Sequence, residues 1–179
     1  MTTHERQEYA AQLKREMNCC QAVVRAFADT LDMPVDKLMQ LSAGFGSGMG
    51  TMEGTCGALA GAIVVAGLRT GGNGTMSLSR KILPRFKELC GATICRDLKG
   101  IGTGKILCSC ENCVRNAVLA AEEAGRYAAE QDAVASRVAP QRDRHLASGV
   151  PDARGACQHR HENAQEPYCI VAASFLTQS

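Results

Sequence analysis

The chain has no tryptophan, and only four Phe and three Tyr among its 179 residues. So few rings leave no base-stacking platform of the kind that single-stranded nucleic acid requires. Neither charge is in surplus: 20 Lys and Arg stand against 18 Asp and Glu, a net charge of +2. This near-neutral balance predicts neither nucleic acid nor an anionic membrane as a partner. The apolar run Gly57–Leu68 carries no charge, but a membrane span needs about 20 such residues. No membrane insertion is expected. The amino terminus, MTTHERQEY, is charged and lacks an apolar h-region, so no secretory signal is expected and a cytoplasmic location is. Strand patterning is poor and no internal repeat is present, which points to an all-α protein.

Cysteine is what the chain has in excess. Its ten cysteines are about 6% of the chain, below the roughly 8–10% that marks a disulfide scaffold. A chain kept in a reducing cytosol holds its thiols free unless they bind metal or do redox work. Nor does the fold need staples, because a domain of this length buries roughly 70% of its extended-chain surface. Ten thiols therefore point to chemistry.

The stretch Gly44–Leu68 organises the rest. It opens as a glycine-rich loop and continues as an uncharged run of small residues, with Cys56 at the join. The run reads as a buried helix whose small side chains let neighbouring helices come close. Cys56 then lies at the helix N-terminus, where backbone N–H groups and the helix dipole favour a thiolate. The alternating glycines Gly44, Gly46, Gly48 and Gly50 are followed by no Gly-Lys-Ser/Thr, so the loop is no Walker motif. No apolar strand precedes it, which also excludes a dinucleotide-binding turn.

Along the chain, Thr3 to Leu31 reads as helix, with Tyr9, Leu13 and Met17 on one face and Glu5, Arg6, Lys14, Arg15 and Glu16 on the other. Asn18 caps a second segment, Cys19 to Thr30, with an apolar stripe of Ala22, Val23, Ala26 and Phe27. Adjacent Cys19 and Cys20 project about 100° apart on a helix and should not both face one site. Pro34 opens a short helix to Leu41. Ser77 to Leu89 forms another, with Ile82, Leu83 and Phe86 apolar and Pro84 a candidate kink. Lys99–Lys105 reads as a flexible loop. Cys108-Ser-Cys110-Glu-Asn-Cys113 leads into a long helix, Val114 to about Ala135, with Val114, Val118, Ala121 and Ala124 inward. Beyond Arg137, prolines and polar residues accumulate. The expected architecture is a compact multi-helix bundle around a buried small-residue helix. It comprises a domain of residues 1–137 and a weakly ordered extension of residues 138–179. His159-x-His161 with Cys157 and Cys169 in that extension reads as a polar tail before it reads as a metal site.

Four cysteines with their flanks resemble a known family, the C_GCAxxG_C_C redox-active proteins. The residues that carry the resemblance are Asn18-Cys19-x-Gln21-Ala22-Val23, Gly44-Phe45-Gly46 through Gly50, and Thr55-Cys56-Gly57-Ala58-Leu59-Ala60-Gly61. Cys95-Arg96-Asp97-Leu98-x-Gly100 and Cys110-x-x-x-Val114-x-x-Ala117 complete it. The likeness spans roughly residues 8–125. It implies that Cys19, Cys56, Cys95 and Cys110 are the shared functional cysteines. A similar domain in split-Soret cytochromes c implies a redox role and a tendency to form homodimers. Six cysteines lie outside the pattern: Cys20, Cys90, Cys108, Cys113, Cys157 and Cys169.

Three chemistries suit these thiols. Cys19, Cys56, Cys95 and Cys110 can hold an iron–sulfur cluster, whose usual ligands are four thiolates. Cys110-Glu-Asn-Cys113 has the C-x-x-C spacing of a dithiol couple, although the thioredoxin-type βαβ context is missing. Cys108, Cys110 and Cys113, with Cys90 or Cys95, can make a structural zinc site. Covalent haem is not expected, because its motif is C-x-x-C-H and Val114 follows Cys113. Hydrolysis is not expected either. His4, His145, His159 and His161 all lie outside the matched motifs, which leaves no imidazole to activate a cysteine. The preferred expectation is a small electron-transfer protein with a cysteine-ligated iron–sulfur centre and a separate redox partner protein.

Overall fold

A computed structural model of the chain describes residues 1–138. Among them are seven α-helices and no strand. The helices are α1 (Thr3–Leu13), α2 (Cys19–Ala26), α3 (Val35–Ser42), α4 (Gly57–Arg69), α5 (Thr75–Cys90), α6 (Cys95–Leu98) and α7 (Cys110–Val138). The expected extension of residues 138–179, with Cys157, His159, His161 and Cys169, falls outside the described residues apart from Val138, the last residue of α7.

Helices α2, α4 and α7 run side by side in one direction. Their first turns meet, since Cys113 lies beside Cys56 and the α4 start lies against Cys20 of α2. Further along, Arg69 in the last turn of α4 reaches Thr30, just past α2, and Glu122, midway along α7. Helices α1 and α5 run the other way along α7. Arg115 pairs with Glu8 and Arg126 reaches Thr3, while Asn116 meets Cys90 and Arg85 pairs with Glu123. One end of the bundle thus collects three helix N-termini.

α4 is the buried central helix. Gly57, Ala58, Leu59, Gly61, Ala62, Val65 and Ala66 are all buried. A Cβ at Gly61 would stand 3.0 Å from the Cys20 carbonyl oxygen and 3.0 Å from Val23 Cβ. At Gly57 it would stand 2.5 Å from the Phe45 carbonyl oxygen. Gly61 thus keeps α2 and α4 close, and Gly57 admits the turn at Phe45. The stripe Ala22, Val23, Ala26 and Phe27 is fully buried, and Val114, Val118, Ala121 and Ala124 of α7 face the core as expected.

Several local expectations are corrected. The amino-terminal helix stops at Leu13, and α2 begins afresh at a capping box formed by Asn18 and Gln21. Arg6 is not on a solvent face: it is 3% exposed, and Ala10 and Ala11 line the inner side of α1 with it. Tyr9, Leu13 and Met17 only flank the core. The Arg6 guanidinium donates to the Ala26 carbonyl and to both Asp29 oxygens, with Nη2 3.0 Å from Oδ2. Its Nε lies 3.3 Å from Glu122 Oε1 but makes no aligned hydrogen bond. Arg6 and Arg69 both lie against the Phe27 ring, 4.7 and 4.5 Å from its centre. Ion pairs with two carboxylates, and the ring between the cations, let a charge be buried here. Leu83 is exposed while Ile82 and Phe86 are buried. α5 continues through Pro84 to Cys90, and α7 starts at Cys110 instead of Val114. No helix of the described residues is long and apolar enough to cross a membrane.

Candidate metal centre

Each of the four cysteines of the motif stands at a helix start. Cys19 is the first residue of α2, Cys95 of α6 and Cys110 of α7, and Cys56 is the N-cap of α4. The local sequence explains these placements. Asn18 and Gln21 cap α2 reciprocally, and they also donate to the Ala43 and Met39 carbonyls, so Cys19 is held against the chain that follows α3. Cys56 and Cys95 are tied to each other's segments by the backbone. The Cys56 N–H donates to the Thr93 carbonyl, the Cys95 N–H to Gly54 and the Arg96 N–H to Met52.

That tie depends on an unusual loop. Ser47, Gly48, Met49 and Gly50 are all left-handed, with φ of 49°, 57°, 59° and 82°, and Met52 has φ 63°. A left-handed turn costs roughly 1–2 kcal/mol for each non-glycine residue. Strain of this kind persists where the surroundings over-determine the backbone, often at functional sites. Here the turn brings Gly48 so close to α6 that a Cβ would lie 2.7 Å from the Cys95 Cβ. Of the alternating glycines, Gly48 is thus the one that makes room for a cysteine.

Eight cysteines are described, with no disulfide among them; Cys110 is half-buried and the other seven are buried. They gather at the end where α2, α4 and α7 begin. Cys19 lies beside Cys110, and Cys56 beside Cys113. Cys56 also acts electrostatically on Cys19 and Cys95, and Cys110 on Cys95. The four cysteines of the motif are therefore electrostatic neighbours. The C-x-x-C pair is not a unit, because Cys110 faces Cys19 while Cys113 faces Cys56, Cys90 and Cys108. Cys20 points to α4, and burial with the nearby Cys56 pushes it up to about 12. The two adjacent cysteines have different surroundings, as their helical spacing predicts.

A tighter group is made by three cysteines outside the motif. The Sγ atoms of Cys90, Cys108 and Cys113 all lie within 4.8 Å of one another, close enough to hold a metal. This triad contains Cys108, Cys113 and Cys90 of the expected zinc set but not Cys110. Cys90 ends α5, outside the four-cysteine pattern.

The thiols divide into proton donors and acceptors. The Cys19 S–H holds Cys110 down to about 5, and Lys99 adds to this. Cys113 holds Cys56 down to about 7, helped by the Ala58 and Leu59 N–H groups at the open end of α4. These N–H groups act through their dipoles, since Cys56 makes no side-chain capping bond. Cys113 and Cys90 hold Cys108 down to about 3. The donors are correspondingly raised: Cys113 by Cys108 and Cys56, Cys19 by Cys110, and Cys90 to about 11 by Cys108. Burial and then the charge at Cys56 raise Cys95. Such a network gives up its first protons readily and resists losing the rest.

Lys99 is the functional residue that sequence reasoning missed. Its Nζ lies 2.8 Å from the Cys108 carbonyl oxygen and 3.7 Å from Cys113 Sγ. Burial lowers its pKa, but the Cys113 and Cys110 thiols outweigh that and hold it above the ordinary lysine value. The segment after it closes on itself, with Gly104 donating to Gly100 and Leu107 to Leu98. A lysine four residues after a motif cysteine, just before glycine, is the only signal that marked it.

Four thiols at helix starts suit a cluster that wants thiolates, N–H donors and exclusion of water. No curated protein and no solved structure matches the chain. The family described as "Putative redox-active protein (C_GCAxxG_C_C)" matches residues 17–124. That span takes in all eight clustered cysteines, and the family description and the buried sulfurs together support a redox role. The chain belongs to the C_GCAxxG_C_C redox-active protein family.

Proposed function

We propose that the protein transfers single electrons through an iron–sulfur centre held by Cys19, Cys56, Cys95 and Cys110. The convergence of four helix-start cysteines around one buried region carries this reading. A multi-iron cluster holds its sulfurs further apart than a single ion does, which suits four cysteines that are electrostatic neighbours but not a tight group. The cluster, when bound, would take up one electron and give it back. The chain's own residues do the rest. The first turns of α2, α4 and α7 direct N–H groups at the sulfurs, Lys99 offsets thiolate charge, and the core excludes water. Half-buried Cys110 gives the shortest way out to a one-electron redox partner protein. Met49, Met52, Ile101 and Leu107, exposed on the loops beside α6, offer that partner an apolar surface. The free thiols suit the reducing cytosol.

A metal-free dithiol is the second reading, favoured by the Cys19–Cys110 contact. There the two thiols would form one disulfide and pass two electrons and two protons to an oxidised partner. An anaerobic preparation assayed for iron, acid-labile sulfide, zinc and visible absorbance separates the two. Iron and sulfide in matched amounts, with absorbance bleached by reductant, is the expected result. Absence of iron, with two fewer thiols after oxidation, would replace the cluster by the dithiol.

A further inference from the structure

Cys90, Cys108 and Cys113 come from three places: the last residue of α5, the segment before α7, and the first turn of α7. None belongs to the four-cysteine pattern. All three are buried, and their sulfurs lie within 4.8 Å of one another. At a metal–sulfur bond of roughly 2.3 Å, three sulfurs around one ion stand about 4 Å apart. The sulfurs therefore need to close by less than about 1 Å, within the reach of small χ1 changes. Two N–H donors point at them: Asn116 Nδ2 is 3.3 Å from Cys90 Sγ, and Lys99 Nζ is 3.7 Å from Cys113 Sγ. Donors of this kind stabilise metal-bound thiolates.

We propose that Cys90, Cys108 and Cys113 form a second site, a tris-thiolate pocket for one soft d10 metal ion, and that the ion is Cu(I). Among the described residues no imidazole or carboxylate joins the three sulfurs. Structural zinc takes four ligands, whereas three thiolates in a dry pocket complete the coordination of Cu(I). On binding, three Cu–S bonds form, the Cys90 and Cys113 S–H bonds break and their two protons leave to solvent, Cys108 being a thiolate already, with no change of oxidation state. Lys99 and Asn116 offset the charge that remains. The site does not rest on the iron–sulfur reading, although Cys113 also lies beside Cys56, so the two groups adjoin.

The test titrates the full chain anaerobically with Cu(I) held by a competing chelator, and separately with Zn(II), with iron and sulfide measured in the same samples. One copper per chain with three sulfur neighbours by X-ray absorption is expected for the wild type. Cys108→Ser should lose that copper and keep any iron, while Cys19→Ser should keep the copper. The wild-type coordination number stands independently should Cys108→Ser fail to fold. Copper unaffected by Cys108→Ser, iron lost with it, or zinc held in preference to copper would each overturn the proposal.

Discussion

The two ends of this bundle bury polar groups in opposite ways. At the end where α2 and α4 finish, one buried guanidinium, Arg6, meets Asp29, a carbonyl, Glu122 and the Phe27 face. At the other end, eight thiols gather, with Lys99 against Cys113. Along α7 the ends are separated by about 18 Å of helix, from Cys110 to Glu122. The arginine end is closed: its cation has its anions, and little capacity to bind anything is left. The cysteine end is open in the chemical sense. Its sulfurs tolerate burial as small hydrophobes, yet several are poised as thiolates, with Lys99 among them and Lys14 near Cys19 and Cys110 as balancing cations. Stability explains the first end and does not require the second.

The largest expected effect belongs to the cysteine end. Cys56→Ser should abolish iron binding and leave the metal-free fold standing, because serine is a favoured N-cap and can accept from the open N–H groups of α4. Iron and sulfide assays with urea unfolding of the apo-protein check both halves, and full iron content in the variant would remove Cys56 from the centre. The converse holds at the arginine end. Arg6→Leu removes the partner of Asp29 and of the buried Ala26 carbonyl, while Glu122 keeps Arg69, and should cost about 1–3 kcal/mol in urea unfolding. Iron per folded molecule should not change; if it falls, the two ends are coupled. Gly61→Val tests the ground between them. Overpacking against Cys20 and Val23 should cost about 1–3 kcal/mol, and by pushing α2 from α4 it should also lower iron affinity. An unchanged iron content would mean that the Cys19–Cys56 spacing is not set by this contact.

The smallest effect is a dependence on pH. The Arg6 guanidinium holds the Asp29 carboxyl below its ordinary value of 3.8. A carboxyl lowered in the folded state contributes stability that is full above that value and is lost as the pH falls through the folded value. The urea midpoint should therefore drop below about pH 4, and Arg6→Leu should flatten that drop. An equal drop in both proteins would mean that Asp29 is not the group responsible.

The elements of the fold were legible wherever a local rule governs them. Asn18 and Gln21 satisfy the first N–H groups of α2 from within four residues, so the helix start can be read without the rest of the chain. The buried faces of α2 and α7 follow from apolar spacing alone. Arg6 was misplaced because its partners, Asp29 and Glu122, are far away in the chain, and a charge with unknown partners looks like surface. α6 was invisible for a related reason. Four residues carry no period, and the helix is held by carbonyls of the left-handed loop around Gly48.

By itself the sequence determined that this is a helical protein with a small-residue central helix, that its cysteines matter, and which four form a pattern. The helices and the weight of the cysteines follow from composition, periodicity and local capping, which act within a few residues; the set of four follows from the family resemblance. Only the tertiary structure decided which sulfurs meet. It split Cys110 from Cys113, joined Cys90 to Cys108 and Cys113, and brought Lys99 among them. A thiol's neighbours depend on how α2, α4, α5 and α7 are aligned end to end. That alignment comes from close packing over the whole bundle, which no short stretch of chain encodes.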